Sequence, residues 1–152
     1  GAYQTAKQIS AIASAPSSWS FTVPGAGRYN VSYDNWIHTQ AAPGNESGSL
    51  EHMIWLNYRD ATPIGTNVDT AMLGGATWEV WYGPNNGWNT VTYRRATNTT
   101  SVSGLDLKEF LDDSVTRGYA AASDYLLGVQ AGFEIWEANS AYSTESFSVS
   151  VN

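Results

Sequence analysis

The chain has 152 residues, a formal net charge of −7 and no cysteine. That length suits a single domain burying about 68–70% of its unfolded surface, with no disulfide framework to staple it. The acidic balance excludes a nucleic-acid or anionic-membrane partner, which would require a basic face.

Only 14% of residues are charged while 13% are aromatic, and Ser, Thr, Asn and Gly are abundant. Such a composition is common among secreted proteins that handle neutral polymers, so an extracellular location is expected. No apolar run reaches the length of a membrane span. Gly1 opens no signal-peptide pattern, so any export signal is expected outside this chain.

In chain order, Gln8 to Ala15 reads as an exposed strand ending at the Ala15-Pro16-Ser17-Ser18 turn. Trp19 to Val23 is a short strand closed by Pro24-Gly25 and Gly27. Tyr29 to Ile37 alternates, with Tyr29, Val31 and Tyr33 on the apolar side and Asn30, Ser32, Asp34 and Trp36 on the polar one. A polar loop from Thr39 to Ser49 leads to Leu50–Leu56, LEHMIWL, in which Glu51, Met53 and Trp55 share a face. After a loop holding Pro63-Ile64-Gly65, strands Thr77–Tyr82 and Asn89–Arg95 flank Gly83-Pro84-Asn85-Asn86-Gly87, strong turn chemistry. Trp78, Trp81, Tyr82 and Trp88 in this hairpin read as packing aromatics.

One helix is expected over Leu105–Arg117, N-capped by Ser103 and stopped by Gly118. Tyr125 to Glu137, YLLGVQAGFEIWE, is then a long strand with two unlike faces. Leu127, Val129, Ala131, Phe133 and Ile135 form one; Gly128, Gln130, Gly132, Glu134 and Trp136 form the other. Bare backbone, an amide, a carboxylate and an indole on one face are the makings of a sugar-binding floor. Tyr142 to Val151 alternates with Phe147, Val149 and Val151 inward. Many short strands and one helix indicate an all-β sandwich with the helix laid against its back.

Asp34, Glu51 and Glu134 thus each stand on a strand face, two residues before an aromatic or close to one. Glycoside hydrolysis needs two carboxyl groups, one ionised and one carrying a proton. A gap of about 5–5.5 Å between them gives retention through a covalent intermediate, and about 6.5–9.5 Å gives inversion. The apolar neighbours of Glu134 suit the proton-bearing partner, and Asp34 is placed to orient Glu51. His38 and His52 have no zinc or triad spacing, and His52, opposite Glu51 in phase, reads as an interior histidine. No metal and no organic cofactor are expected.

LEHMIWL, Pro63-Ile64-Gly65, ATWEVWYGPNNGW, VQAGFEIWE and the ending SFSVSVN, in that order, resemble glycoside hydrolase family 12 from about Ile9 to Asn152. The resemblance implies a β-jelly-roll of two curved antiparallel sheets with one α-helix on the convex side and a glucan-binding cleft on the concave one. It implies an endo-acting, retaining β-1,4-glucanase or xyloglucanase with Glu51 as nucleophile, Glu134 as acid/base and Asp34 supporting Glu51. Met53 and Trp55 would line the cleft and Trp136 would sit beside the acid; Trp36, Gln130 and Pro63 complete the candidate substrate contacts.

Two substitutions depart from the family pattern: His52 stands for Leu or Ile, and Ile135 for the proline after the acid/base. The family's opening strands, with their glucose-binding tryptophans, have no counterpart before Gly1, and a shortened cleft is the corresponding expectation. The partner is then a β-glucan, and the chain a monomer unless another chain supplies that segment. The GFEIWE block is closer to the bacterial endoglucanase form than to the G-T-E-P-F form. The readings set against an active hydrolase are an inactive glucan-binding or decoy relative and a lectin-like sandwich.

Overall fold

The structure, a computed structural model, describes residues 2–137 and 141–152. Its strands are β1 (Ala2–Gln8), β2 (Pro16–Thr22), β3 (Arg28–His38), β4 (Leu50–Arg59), β5 (Thr66–Leu73), β6 (Ala76–Asn85), β7 (Trp88–Arg95), β8 (Ser101–Asp106), β9 (Tyr125–Glu137) and β10 (Ser143–Val149). The helix α1 spans Leu107–Thr116. The strands form one sheet in the order β1-β9-β3-β4-β7-β6-β5 and a second in the order β10-β2-β8.

One face of the large sheet is the core. Tyr29, Val31 and Tyr33 of β3, Ile54 and Leu56 of β4, Trp78 and Val80 of β6, Val91 and Tyr93 of β7, and Val129 of β9 are all buried there. The small sheet packs on it through Trp19, whose ring meets Tyr33 at 5.3 Å and Phe133 at 6.1 Å. The helix covers the same face further along, with Phe110 edge-on to Trp78 at 4.9 Å and to Tyr93 at 5.3 Å. The opposite face of the large sheet is therefore left for the polar side chains, as the alternation indicated.

The sandwich with one helix on its back is the expected fold, and several local expectations are corrected. The pairing of β4 with β7 is parallel, whereas the sheets were expected to be antiparallel throughout. The antiparallel meander β5-β6-β7 is laid down in reverse order, so its last strand returns beside β4 in the same direction. Residues 9–15 are not an exposed strand: Ile9–Ala11 make a 3₁₀ turn, and Ile9, Ile12 and Ala15 are buried. Strand β5 and strand β8 were both read as loop or cap.

Ser103 lies within β8, and the helix is capped instead by Asp106, whose carboxylate accepts from Lys108 N at 3.0 Å. The hairpin strands run on to a two-residue turn at Asn86-Gly87 with φ of 48° and 101°, the left-handed pair a tight hairpin needs. In β9 the pairing with β3 skips Leu127. This bulge puts Leu126 in the core and turns Leu127 to the other face.

Candidate active site

Register carries every candidate carboxylate to the face away from the core. On β3, Asn30 pairs with Glu134, Asp34 with Gln130 and Met53, and Trp36 with Gly128 and Glu51. On the far side of β4, Glu51 pairs with Thr90 and Met53 with Thr92. Glu51 is therefore flanked by Trp36 on one strand and Thr90 on the other.

Glu51 and Asp34 are both largely withdrawn from water. Thr90 donates its hydroxyl to Glu51 Oε1 at 3.0 Å, and the indole N–H of Trp88 stands against the same carboxylate. The Asp34 and Glu51 carboxyls lie close enough for each to act on the other, and a proton shared between them relieves two facing acceptors. Burial, reinforced by the charges of Glu51 and Glu134, pushes Asp34 up to about 8. Burial also raises Glu51, but the Thr90 hydrogen bond and the neighbouring Asp34 and Trp88 indole N–H oppose that rise. Asp34 therefore holds its proton at neutral pH, and the Thr90 hydrogen bond favours the charged form of Glu51.

Glu134 is exposed and accepts from Asn30 Nδ2 at 3.2 Å, with Ser32 Oγ in turn holding Asn30 Oδ1 at 3.0 Å. Of the apolar neighbours expected for it, Phe133 and Ile135 lie off its side of the strand, which leaves Trp136. Phe133 turns to the core face, where it meets Trp19, and Ile135 alternates with Glu134, because neighbours along a strand point apart.

Two hollows adjoin these groups. One, of about 200 Å³, lies over Ser32, Asp34, Gln130, Gly132 and Glu134. The other, of about 580 Å³, runs from Gln130, Gly128 and Trp36 to the loop at Ala41–Ser49. Gln130 lines both, so the two hollows lie side by side along β9 next to the carboxylates.

The remaining candidates are dispersed. Met53 and Trp55 share the carboxylate face but are buried with Ala61 and Tyr58 rather than open to a cleft. The loop after β4 accounts for this: Arg94 reaches the Ala61 carbonyl at 3.1 Å, pairs with Glu79 through two nitrogens, and lies between the rings of Tyr58 at 4.4 Å and Trp81 at 5.3 Å. Pro63 is buried within that loop and lines neither hollow. Trp136 is exposed two residues beyond Glu134, with the Arg28 guanidinium 5.2 Å from its ring. Ile135 pairs with Tyr29 and Glu134 with Asn30 within β9, and the register shifts only beyond Ile135, where the pairing skips Trp136. His52 is an interior histidine, fully buried and donating from Nε2 to the Phe110 carbonyl at 3.3 Å.

Sequence reasoning missed Thr90 and read Trp88 only as a packing aromatic. The alternation of Trp88, Thr90 and Thr92 against Val91 and Tyr93 marks them as one face, but only the pairing with β4 shows which face that is.

The profile of Glycosyl hydrolase family 12 matches residues 2–152. The chain belongs to glycosyl hydrolase family 12. Among solved structures, Endoglucanase cel12A from Rhodothermus marinus superposes with a TM-score of 0.92 at 44% identity, over 97% of this chain and 66% of that one. Among curated relatives, Xyloglucan-specific endo-beta-1,4-glucanase A of Emericella nidulans is 37% identical over 99% of this chain and 64% of its own length. Endoglucanase S of Pectobacterium parmentieri is 34% identical over 85% of this chain and 51% of its own. The family 12 chain described here thus spans about half to two thirds of the length of these two curated relatives. The two-sheet sandwich with one helix is the jelly-roll of its family 12 neighbours.

Proposed function

We propose that the chain is a retaining, endo-acting hydrolase of β-1,4-glucan, working outside the cell. Glu51 is the nucleophile, Glu134 the general acid and then base, and Asp34 the residue that holds Glu51. The observation that supports this reading is the asymmetry of the carboxyl groups: Glu51 is half-buried beside Asp34 and accepts from Thr90, which favours its charged form, while Glu134 stands open to a hollow on an Asn30 hydrogen bond.

In the first step Glu134 gives its proton to the glycosidic oxygen as that bond breaks, and Glu51 closes an ester to the anomeric carbon from the other side. The leaving chain departs with the proton. In the second step Glu134, now a carboxylate, takes a proton from water, the hydroxide oxygen bonds to the anomeric carbon, and Glu51 leaves as a carboxylate. The Asp34 hydroxyl stabilises Glu51 whenever it carries charge. The backbone that lines the hollows at Gly128 and Gly132, the Gln130 amide and the Trp36 ring offer a neutral sugar chain polar and stacking contacts. An unbranched glucan is the preferred substrate in this reading, supported by the endoglucanase-like GFEIWE block and by the 44% identity to an endoglucanase.

The test follows the anomeric configuration of newly cut ends by proton NMR during hydrolysis of mixed-linkage β-glucan. β-Configured ends appearing first are expected; α-configured ends would replace the nucleophile by an attacking water.

A further inference from the structure

The parallel pairing of β4 with β7 places an uncharged hydroxyl at the side of Glu51. Thr90 is the register partner of Glu51, is wholly buried, and donates to Oε1 at 3.0 Å. Two residues earlier on the same face, Trp88 is fixed by an edge-on contact with Trp36 at 5.3 Å. Its buried indole nitrogen has no well-aligned hydrogen bond and lies against Glu51.

We propose that Thr90, assisted by Trp88, is the positioning residue that assigns the one proton of the Asp34–Glu51 pair to Asp34, so that Glu51 meets the substrate as a carboxylate. This rests on the hydrolase reading given above. Two facing carboxyl groups cannot both ionise cheaply, and the side better supplied with donors keeps the charge. Glu51 has Thr90 and Trp88, whereas Asp34 Oδ1 is buried with no donor among the described residues.

Among the described residues no other charged group makes the selection, and Arg94, the next residue on that face of β7, is taken up by Glu79. From β9, Glu134 acts on both members of the pair in the same direction. From β3 the facing titratable group is Asp34 itself, and the neighbour of Glu51 on its own strand face is Met53. Strand β7 contributes only Trp88, Thr90 and Thr92 at this level. Thr92 provides the contrast: it is equally buried on the same strand face, yet its hydroxyl has no partner. Where only packing is at stake, a buried hydroxyl gives no advantage over a methyl group.

The experiment measures kcat/KM against pH on soluble β-glucan for the parent, Thr90→Val, Thr90→Ser, Thr92→Val and Trp88→Phe. Thr90→Val should move the acid limb of the profile upward by roughly one pH unit, the size of one lost charge-assisted hydrogen bond. Thr90→Ser should restore the limb, and Thr92→Val should leave it in place. An unmoved limb in Thr90→Val, or an even loss at every pH, overturns the proposal. If Thr90→Val does not fold, Trp88→Phe decides, because it removes the N–H and keeps a ring: an upward shift supports the proposal and an unmoved limb overturns it. A parent that cuts no glucan contradicts the hydrolase reading instead. Carbon-13 titration of the side-chain carboxyls in parent and Thr90→Val then reads the proton's position without turnover, and an unchanged lower titration step overturns the assignment.

Discussion

Asp34 and Glu51 are diagonal neighbours on antiparallel strands, Asp34 opposite Met53 and Glu51 opposite Trp36, and each carboxyl acts on the other's charge. Strand pairing brings diagonal side chains within reach of each other. Burial then makes two charges intolerable, and the pair behaves as one acid with two sites.

That pair gives stability a characteristic pH dependence. Asp34 is raised from 3.8 to about 8 in the folded chain, so between those values the folded state binds more protons than the unfolded one and stability falls as pH rises. His52 acts oppositely, but only below 6.5, and the lowered carboxyls of Asp69 and Glu145 finish titrating lower still. From pH 6.5 to 8 the parent should therefore lose several degrees of melting temperature, at about 2–4 °C per kcal/mol for this size. Asp34→Asn should flatten most of that slope, as a thermal melt at each pH would show.

His52 sets the acid side. Its burial lowers it from 6.5 to about 4, so the folded chain resists protonating it and stability drops as pH falls through that interval. The loss amounts to roughly 3 kcal/mol over the full window. His52→Leu keeps an apolar side chain in a site already enclosed by Tyr93 and Phe110, and should remove this part of the acid sensitivity in urea melts at pH 4 and 6.5.

The close approach at the end of the loop after β4 is a backbone contact. Gly65 has φ of +87°, and a Cβ there would fall 2.1 Å from the Tyr82 carbonyl oxygen. Gly65→Ala adds left-handed strain to a clash with backbone that cannot step aside, and should cost about 2–4 kcal/mol. Chemical denaturation of the variant measures it directly.

What could be read in the sequence was what alternation reports. The bounds of β9, the shared face of Glu51, Met53 and Trp55, and the polar side of β3 with Asp34 all follow from the two-residue period. Strand β5 left no such trace because it is an edge strand: Val68 and Met72 are exposed and only Ala71 is buried. The exposed-strand reading of 8–15 failed because Ile9 and Ile12 meet the core from a 3₁₀ turn, which has no period of two. Trp88 and Thr90 reach Glu51 through the parallel pairing of β7 with β4, and a strand's partner is not written in its own residues. Trp55, a candidate cleft residue by its phase, is covered instead by the loop that Arg94 holds.

The most direct measurement of the central claim is reducing-sugar release from soluble cellulose derivative, mixed-linkage β-glucan and xyloglucan by the parent, Glu51→Ala and Glu134→Ala. Hydrolysis by the parent that falls by several orders of magnitude in both variants, each still folding cooperatively, is the expected result. A parent as inert as its variants, or a variant that keeps the parent's rate, would contradict the assignment of nucleophile and acid to these two glutamates.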